Sequence, residues 1–234
     1  MDIKIAVTPG TLKERIPESR VNGINSLTLS GSINGDDIEF LRKHTGGYDM
    51  VDHRNAGPLE TLDLSNCKLV PGGRYKSTEF MGHQRGRVSI SQFMEMWTTT
   101  EIAGPGYGFN LVKGDEISDE MFLKCYKLRS IFLPKDIKRV GDLSFYRCDN
   151  LTRIYLGDKV ESIGEFVFEN NFSLKEIHIK SKKPPKLSDY AFGNPKYQTL
   201  PEMNPKKKIT LFVPNGSSSD YWLQWGFDNV IEEY

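Results

Sequence analysis

The sequence predicts an α/β solenoid, a right-handed stack of short units with a parallel concave sheet, irregular or helical convex arms and terminal caps. The first observation is a step of about 23 residues in the C-terminal half, at which three sets of apolar residues recur. These sets are Phe122, Phe145 and Phe168; Leu128, Leu151 and Leu174; and Ile131, Ile154 and Ile177. Each unit reads I-x-x-x-x-F-x-x-(C/N)-x-x-L-x-x-I-x-(L/I), which is a leucine-rich repeat within the usual length of about 20 to 29 residues.

The second observation is that the strand signature L-x-x-L-x-L extends beyond the strict period. It occurs at Ile24, Leu27 and Leu29, at Leu59, Leu62 and Leu64, and after a delay at Ile209, Leu211 and Val213. Together with the three regular units, this signature predicts six short strands that pair in parallel. One unit cannot bury its apolar face alone, so only the stack is stable.

The chain is predicted to form one domain over residues 1–234, because a solenoid grows by adding units and needs no second core. Its predicted parts are an N-terminal cap (1–23), the first units (24–70), an insertion (71–115), the regular repeats (116–214) and a C-terminal cap (215–234).

The N-terminal cap is predicted to contain a short helix from Pro9 to Ile16. Leu12 and Ile16 lie four residues apart and therefore share one face of that helix. Pro17 is expected to end it, because proline cannot continue the hydrogen-bond pattern of a helix. A solenoid requires such caps to protect its terminal units.

The C-terminal cap is predicted to contain a second helix, with Ser219 or Asp220 as its N-cap and Gly226 at its end. Trp222 and Trp225 supply the large apolar area that a lid over the last unit would bury. The alternative interpretation is a carbohydrate platform, because exposed indole rings stack on sugars.

Residues 36–44 between the first two strands are predicted to be helical, because acidic residues lead, basic residues follow, and Ile38 and Leu41 share a face. The insertion at 71–115 is rich in glycine and polar residues, with a candidate helix at 89–97. Loops of this length are uncommon unless they are functional or disordered. The insertion is therefore the second place to look for a site.

The charge balance excludes some partners. Lysine and arginine together equal aspartate and glutamate at 31 each, so the chain lacks the basic field of a nucleic-acid-binding protein.

No run approaches the roughly 18 apolar residues that cross a bilayer. Residues 1–10 lack the apolar core of a signal peptide, so an exported form would need a signal from outside this sequence.

Cysteine and histidine predict neither a disulfide framework nor a metal site. Cys125 and Cys148 occupy equivalent positions on adjacent units, close enough for a disulfide, but burial as free thiols is the preferred interpretation. Cys67 is interpreted as structural in the same way. The four histidines, His44, His53, His83 and His178, show no metal-ligand spacing, and no cofactor is predicted.

A ligand-binding surface is predicted on the sheet, because the residues between the inward leucines face outward. The central column of that face is Thr28, Asp63, Phe132, Tyr155, His178 and Phe212, flanked by Ser130, Arg153, Glu176 and Thr210. Phe132, Tyr155, His178, Phe212, Arg153 and Glu176 are the predicted binding residues, since exposed aromatics beside an arginine are typical of binding hot spots. The alternative is that the rings only stabilise the sheet, at about 0.2 to 1 kcal/mol per pair.

The chain also resembles a known family. The motifs that show this are Ile117-Ser-Asp-Glu-Met-Phe122-x-x-Cys125-x-x-Leu128-x-x-Ile131-x-Leu133-Pro134 and the matching units Val140 to Leu156 and Ile163 to Ile179. They resemble the BspA-type leucine-rich repeat proteins, found among exported and surface-attached proteins of Bacteroides-like bacteria and some protozoan parasites. The resemblance covers nearly the whole chain except about 72–115. It implies export, a place at the cell surface or outside the cell, and a role in adhesion without a shared catalytic motif.

Three functions are consistent with these observations. The preferred one is a non-catalytic recognition or adhesion module whose concave sheet binds an extracellular protein or glycan. The second is a structural spacer domain of a surface protein. The third is an enzyme with its site in the 71–115 insertion, using Cys67 or His83, although the sequence contains no G-x-S-x-G and no H-E-x-x-H motif.

Overall fold

The structure, a computed structural model, describes residues 1–47, 57–78, 107–198 and 203–234. Its strands in chain order are β1 (Asp2–Val7), β2 (Ser26–Ile33), β3 (Thr61–Leu69), β4 (Gly72–Thr78), β5 (Tyr107–Val112), β6 (Glu116–Ile117), β7 (Ser130–Phe132), β8 (Arg139–Val140), β9 (Arg153–Leu156), β10 (Ser162–Ile163), β11 (Glu176–Ile179), β12 (Lys186–Leu187), β13 (Thr210–Val213) and β14 (Asn229–Glu232). Its α-helices are α1 (Leu12–Arg15), α2 (Glu18–Val21), α3 (Gly35–Thr45) and α4 (Ser218–Trp225). Short 3-10 turns lie at Pro195–Tyr197 and Pro205–Lys207.

Eight strands form one parallel sheet, here called the main sheet, in the order β1-β2-β3-β7-β9-β11-β13-β14. Ser130 pairs with Arg153 and Arg153 pairs with Glu176, so these neighbouring strands join equivalent positions of successive units. All six strands predicted from the L-x-x-L-x-L signature belong to this sheet. A large parallel sheet built from successive repeats fits a repeat solenoid.

The two edge strands of the main sheet, β1 and β14, were not predicted. β1 alternates between exposed and half-buried residues, and β14 has only four residues, with Val230 half-buried and the others exposed. Neither strand contains the leucine signature, although Ile3, Ile5 and Val230 pack against the core. Both predicted caps therefore also extend the sheet.

The regular repeats have irregular arms, so the helical alternative of the prediction is wrong for them. Residues 116–194, all of which the structure describes, contain turns and the strands of a four-stranded parallel sheet in the order β12-β10-β8-β6. The amides of Phe122 and Lys124 donate at 2.8 Å to the carbonyl oxygens of Ser144 and Tyr146 in the next unit. These amides therefore cannot form the local hydrogen bonds of a helix.

The core between the two sheets contains a column of phenylalanine rings. This core column consists of Phe122, Phe145, Phe168 and Phe192, all at most 5% exposed. Its successive ring centroids lie 5.4, 6.4 and 5.1 Å apart. The three cysteines are free and buried, and the Cys148 thiol donates to the Phe122 carbonyl oxygen at 3.1 Å. They are structural thiols, as the preferred interpretation expected.

Helix α3 confirms the predicted helix at 36–44 and connects the N-terminal cap to the first units. The Asn34 side chain and Asp37 form a reciprocal capping box, and Gly46 ends the helix in the left-handed conformation. The buried Asp37 carboxylate also accepts from the Gly10 and Leu12 amides at 2.7 and 2.9 Å. The predicted cap helix is shorter than expected, since α1 spans a single turn.

Helix α4 confirms the predicted C-terminal helix, but its N-cap was predicted wrongly. The helix begins at Ser218 with Ser217 as N-cap, and the Ser217 side chain makes no capping hydrogen bond because its hydroxyl donates to the Pro214 carbonyl oxygen. Trp225 is buried and its indole donates to the Pro185 carbonyl oxygen at 2.9 Å, as expected of a lid. Trp222 is 60% exposed and does not contribute to the lid.

The described ends of the insertion form an antiparallel pair, β4 with β5, which the sequence did not predict. The pair packs against α3 and the first regular repeat. The buried Tyr75 donates through its hydroxyl to the Asp119 carbonyl oxygen at 2.7 Å, and the Lys76 amide donates to the Glu39 carboxylate at 2.9 Å. The helix predicted at 89–97 lies outside the described residues.

Candidate binding surface

Four aromatic side chains lie in a row on the outward face of the main sheet. This ring column consists of Phe132, Tyr155, His178 and Phe212, one from each of β7, β9, β11 and β13. Successive ring centroids are 3.9, 4.3 and 4.3 Å apart, with interplanar angles of 6°, 19° and 4°. The rings are therefore stacked face to face along the sheet.

The four rings lie in a row because their residues pair with one another across neighbouring strands. Phe132 pairs with Tyr155, Tyr155 with His178, and His178 with Phe212. The residue before each ring points inward and is fully buried, because side chains alternate along a strand; these residues are Ile131, Ile154, Ile177 and Leu211. The structure thus brings together all four aromatic residues that the sequence predicted for this face.

The flank of the ring column contains the predicted Arg153 and Glu176. Arg153 Nε lies 3.3 Å from Glu176 Oε2, and this ion pair bridges β9 and β11. The Arg153 side chain is 54% exposed, so most of its remaining donors face solvent. A second ion pair, between Arg129 and Glu60 at 3.2 Å, joins the residues that directly precede β7 and β3.

His178 differs from the other rings because it is covered. It is only 6% exposed, and its Nδ1 lies 3.1 Å from Glu233 Oε2 and 3.0 Å from the Tyr234 hydroxyl. Its Nε2 lies 3.3 Å from Glu176 Oε2. Burial, with help from the adjacent Glu233 carboxylate, raises the pKa of the Tyr234 phenol above its ordinary value. Sequence reasoning missed this cover because it did not predict β14, which brings both residues to the column.

The parallel stacking determines which part of each ring a ligand can reach. Tyr155 has Phe132 on one face and His178 on the other, so both of its faces are occupied. Its edge and hydroxyl face outward from the sheet. Phe132 is different, because among the described residues only Tyr155 stacks on it. The other face, on the side of β3, is called the open face of Phe132 because no ring of the described residues stacks on it.

A cavity of about 430 Å³ lies on the arm side of the last repeats. Its lining includes Phe168, Glu169, Asn171, Phe192 and Met203. Burial raises the pKa of Glu169 from 4.5 to about 7, and its buried Oε2 atom has no hydrogen-bond partner among the described residues. Sequence reasoning missed this cavity, because it is formed where the spacing between repeats departs from the regular step.

Of the two groups proposed for an enzyme, only Cys67 lies in the described part of the chain. Burial, with additional repulsion from Asp63 and Asp37, raises the pKa of the Cys67 thiol to about 12. The nucleophilic thiolate is therefore scarce at neutral pH. His83 lies outside the described residues. Within those residues, no group of three or more His, Cys, Asp or Glu side chains could hold a metal ion.

None of the helices in the described ranges combines the length and the apolar character that are needed to cross a bilayer.

Comparison with protein families assigns the regular repeats. Residues 114–212 match the family model described as BspA type leucine rich repeat region, in six copies. The match covers strands β6 to β12 and most of β13, and so includes all four rings of the ring column. Comparison with curated proteins gives no match.

Proposed function

Residues 114–212 match the BspA-type leucine-rich repeat model, and from this premise we propose that the chain is a non-catalytic recognition or adhesion module. Proteins of this family are surface proteins, and their repeats are usually adhesion or protein-binding modules. The proposed ligand is an extracellular protein or glycan. The proposed binding site is the outward face of the main sheet around the ring column, and the proposed location is the cell surface or the extracellular space.

The observation that supports this proposal most directly is the ring column itself. Phe132, Tyr155 and Phe212 are partly exposed on the sheet, and the half-exposed Arg153 lies beside them. Aromatic residues and arginine are enriched among the residues that dominate binding energy at interfaces. The sheet does not need aromatic residues at these outward positions in order to fold, because polar residues occupy them on β2 and β3, at Thr28 and Asp63.

The spacer function is the second candidate, and one observation favours it. The rings contact each other at 3.9 to 4.3 Å, so each stacked pair already stabilises neighbouring strands. Such pairs contribute about 0.2 to 1 kcal/mol each. A spacer would use the ring column for this purpose only and would bind no ligand.

The test is binding of the purified chain to an array of extracellular-matrix proteins and glycans, run beside a Phe132→Ala/Tyr155→Ala double variant. His178 is kept in this variant because it is buried against Glu233 and Tyr234, and its removal would disturb the C-terminal strand. A second variant adds His178→Ala and so removes three of the four rings of the ring column.

The matched control is Trp222→Ala, which removes an aromatic side chain that is 60% exposed on α4. Saturable binding that the double variant loses and the control keeps supports recognition through the ring column. Binding lost in the control supports the carbohydrate platform at the C-terminal cap. No binding by the wild-type chain to any member of the array supports the spacer function.

A further inference from the structure

The ring column ends at Phe132 on β7 and does not continue onto the neighbouring strand β3. The residue that pairs with Phe132 in the neighbouring strand is Asp63, and beyond it the column continues with Thr28 and Lys4. Neighbouring strands are about 4.8 Å apart, which is close to the spacing of two stacked rings. A short aspartate side chain therefore stands where the stack would place its next ring, and the outer face of Phe132 is left open.

Asp63 also has an unbalanced charge. Its Oδ1 accepts from the Ser65 amide at 2.9 Å, and no ion pair involves Asp63 in the described part of the chain. Two acidic side chains nearby are paired, in contrast, Glu60 with Arg129 at 3.2 Å and Glu176 with Arg153 at 3.3 Å. A carboxylate and the negative face of an aromatic ring therefore adjoin the same open space.

We propose that this space receives an arginine guanidinium of the partner protein, stacked on the open face of Phe132 and paired with the Asp63 carboxylate. The inference rests on the proposed function and specifies its ligand as a protein with an exposed arginine. The guanidinium would lie above the short Asp63 side chain, on the side of Phe132 that carries no stacked ring. Its N–H groups would reach the Asp63 oxygen atom that does not accept from Ser65.

Arginine fits this position better than lysine or a sugar. The guanidinium is planar, stacks on aromatic faces and pairs with carboxylates through a fixed fork of donors, whereas an ammonium is a compact and strongly hydrated charge. A sugar needs an exposed ring face for stacking, and the inner faces of the ring column are covered by neighbouring rings. The open face of Phe132 is small and adjoins a negative charge, which favours a flat cation.

The experiment uses the whole chain and two small probes in a titration followed by heteronuclear NMR. The first probe is N-acetyl-L-arginine methylamide, and the second is the corresponding citrulline compound, which has the same shape but no charge. We expect the arginine probe to shift signals of Thr28, Asp63 and Phe132. The citrulline probe should bind roughly 3- to 30-fold more weakly, because it loses the cation–π and ion-pair contributions.

The diagnostic variant is Asp63→Asn, because asparagine keeps an oxygen for the Ser65 amide and removes only the charge. It should weaken binding of the arginine probe by about 1.4- to 5-fold and leave the citrulline probe unchanged. The matched control is Asp158→Asn, which removes the same charge at an exposed position away from the column. It should leave the binding of both probes unchanged. Phe132→Leu should weaken the arginine probe as well.

Equal affinity for the two probes, or an Asp63→Asn variant that binds the arginine probe like the wild type, would overturn the inference. A failure of this inference can be distinguished from a failure of the proposed function. If the array identifies a partner whose binding depends on Phe132 and Tyr155, while arginine and citrulline probes behave alike, the recognition surface stands and the arginine preference is wrong. If the arginine probe shows the expected pattern but no partner binds through the ring column, the proposed function is wrong.

Discussion

The core column and the ring column are two stacks of aromatic rings built by the same repeats, one inside the molecule and one outside. Three members of each recur at the same constant step in the sequence, at Phe122, Phe145 and Phe168 and at Phe132, Tyr155 and His178. The inner rings are nearly fully buried, whereas the outer column is partly exposed except at His178. The position of a ring within the unit, and not its spacing, therefore decides whether it can meet a ligand.

The two columns also differ in the distance between rings. Centroids are 5.1 to 6.4 Å apart in the core column and 3.9 to 4.3 Å apart in the ring column. The rings of the ring column are thus stacked more tightly than those of the core column.

The largest expected effect distinguishes the columns by stability. Phe145→Ala removes a fully buried ring from the middle of the core column and should lower the free energy of unfolding by about 3 to 5 kcal/mol. Urea denaturation followed by circular dichroism measures this change. A loss below about 1 kcal/mol would show that the core column is not the main packing element of the repeats.

The corresponding change in the ring column should be much smaller. Tyr155→Ala removes two stacked pairs, with Phe132 and with His178, and should cost roughly 0.4 to 2 kcal/mol. The same denaturation experiment measures it. A cost equal to that of Phe145→Ala would mean that the ring column is mainly structural, in favour of the spacer function.

A pH-dependent effect is expected beside the core column at Glu169. Burial raises its pKa from 4.5 to about 7, so the folded state binds a proton more tightly than the unfolded state does. The contribution of this proton to the free energy of unfolding is fully present below pH 4.5 and is lost as pH rises through about 7. Glu169→Gln removes this dependence.

Relative to the wild type, Glu169→Gln should therefore gain on the order of 1 kcal/mol above pH 7, after allowance for partial solvent screening, and little near pH 4. Denaturation of both proteins across this pH range measures the difference. A constant difference at all pH values would mean that the Glu169 carboxyl titrates normally. Glu161→Gln, at an exposed position, is the control and should show no such trend.

The smallest expected effect concerns the cover over the ring column. Glu233→Gln weakens the contact between Glu233 and His178, and Glu233 is 46% exposed, so the cost should be about 0.2 to 1 kcal/mol. Hydrogen exchange of the β14 amides should increase slightly in the variant. A loss above about 2 kcal/mol would indicate that this contact is a main anchor of the C-terminal strand.

Much of the fold could be predicted because the repeat pattern specifies both the inward and the outward residues of each strand. The alternation of Ile131, Phe132 and Leu133 places one apolar set in the core and one ring outside, and the constant step between units aligns these sets across strands. The same reasoning located every ring of the column. It could not decide between irregular and helical arms, because the inter-unit hydrogen bonds of the arms depend on backbone turns that the apolar pattern does not encode.

Other features depend on contacts that are remote in sequence. The cover over His178 comes from Glu233 and Tyr234, which are 55 and 56 residues away. The pairing of β4 with β5 joins segments separated by the middle of the insertion, and neither segment contains a strong strand signature. The carboxylate of Asp63 was visible in the sequence as a column residue, but its lack of an ion pair within the described residues became visible only in three dimensions.

The role of the ring column as a recognition surface is tested most directly by a binding measurement. The measured quantity is the affinity of the Phe132→Ala/Tyr155→Ala variant for an extracellular ligand that the wild-type chain binds saturably. The chain should bind at least one such ligand, and the variant should bind it at least roughly 30-fold more weakly, as expected when hot-spot residues are removed. The variant should retain the fold, as judged by circular dichroism. A folded variant that binds the ligand as tightly as the wild type would contradict the claim that the ring column is the recognition surface.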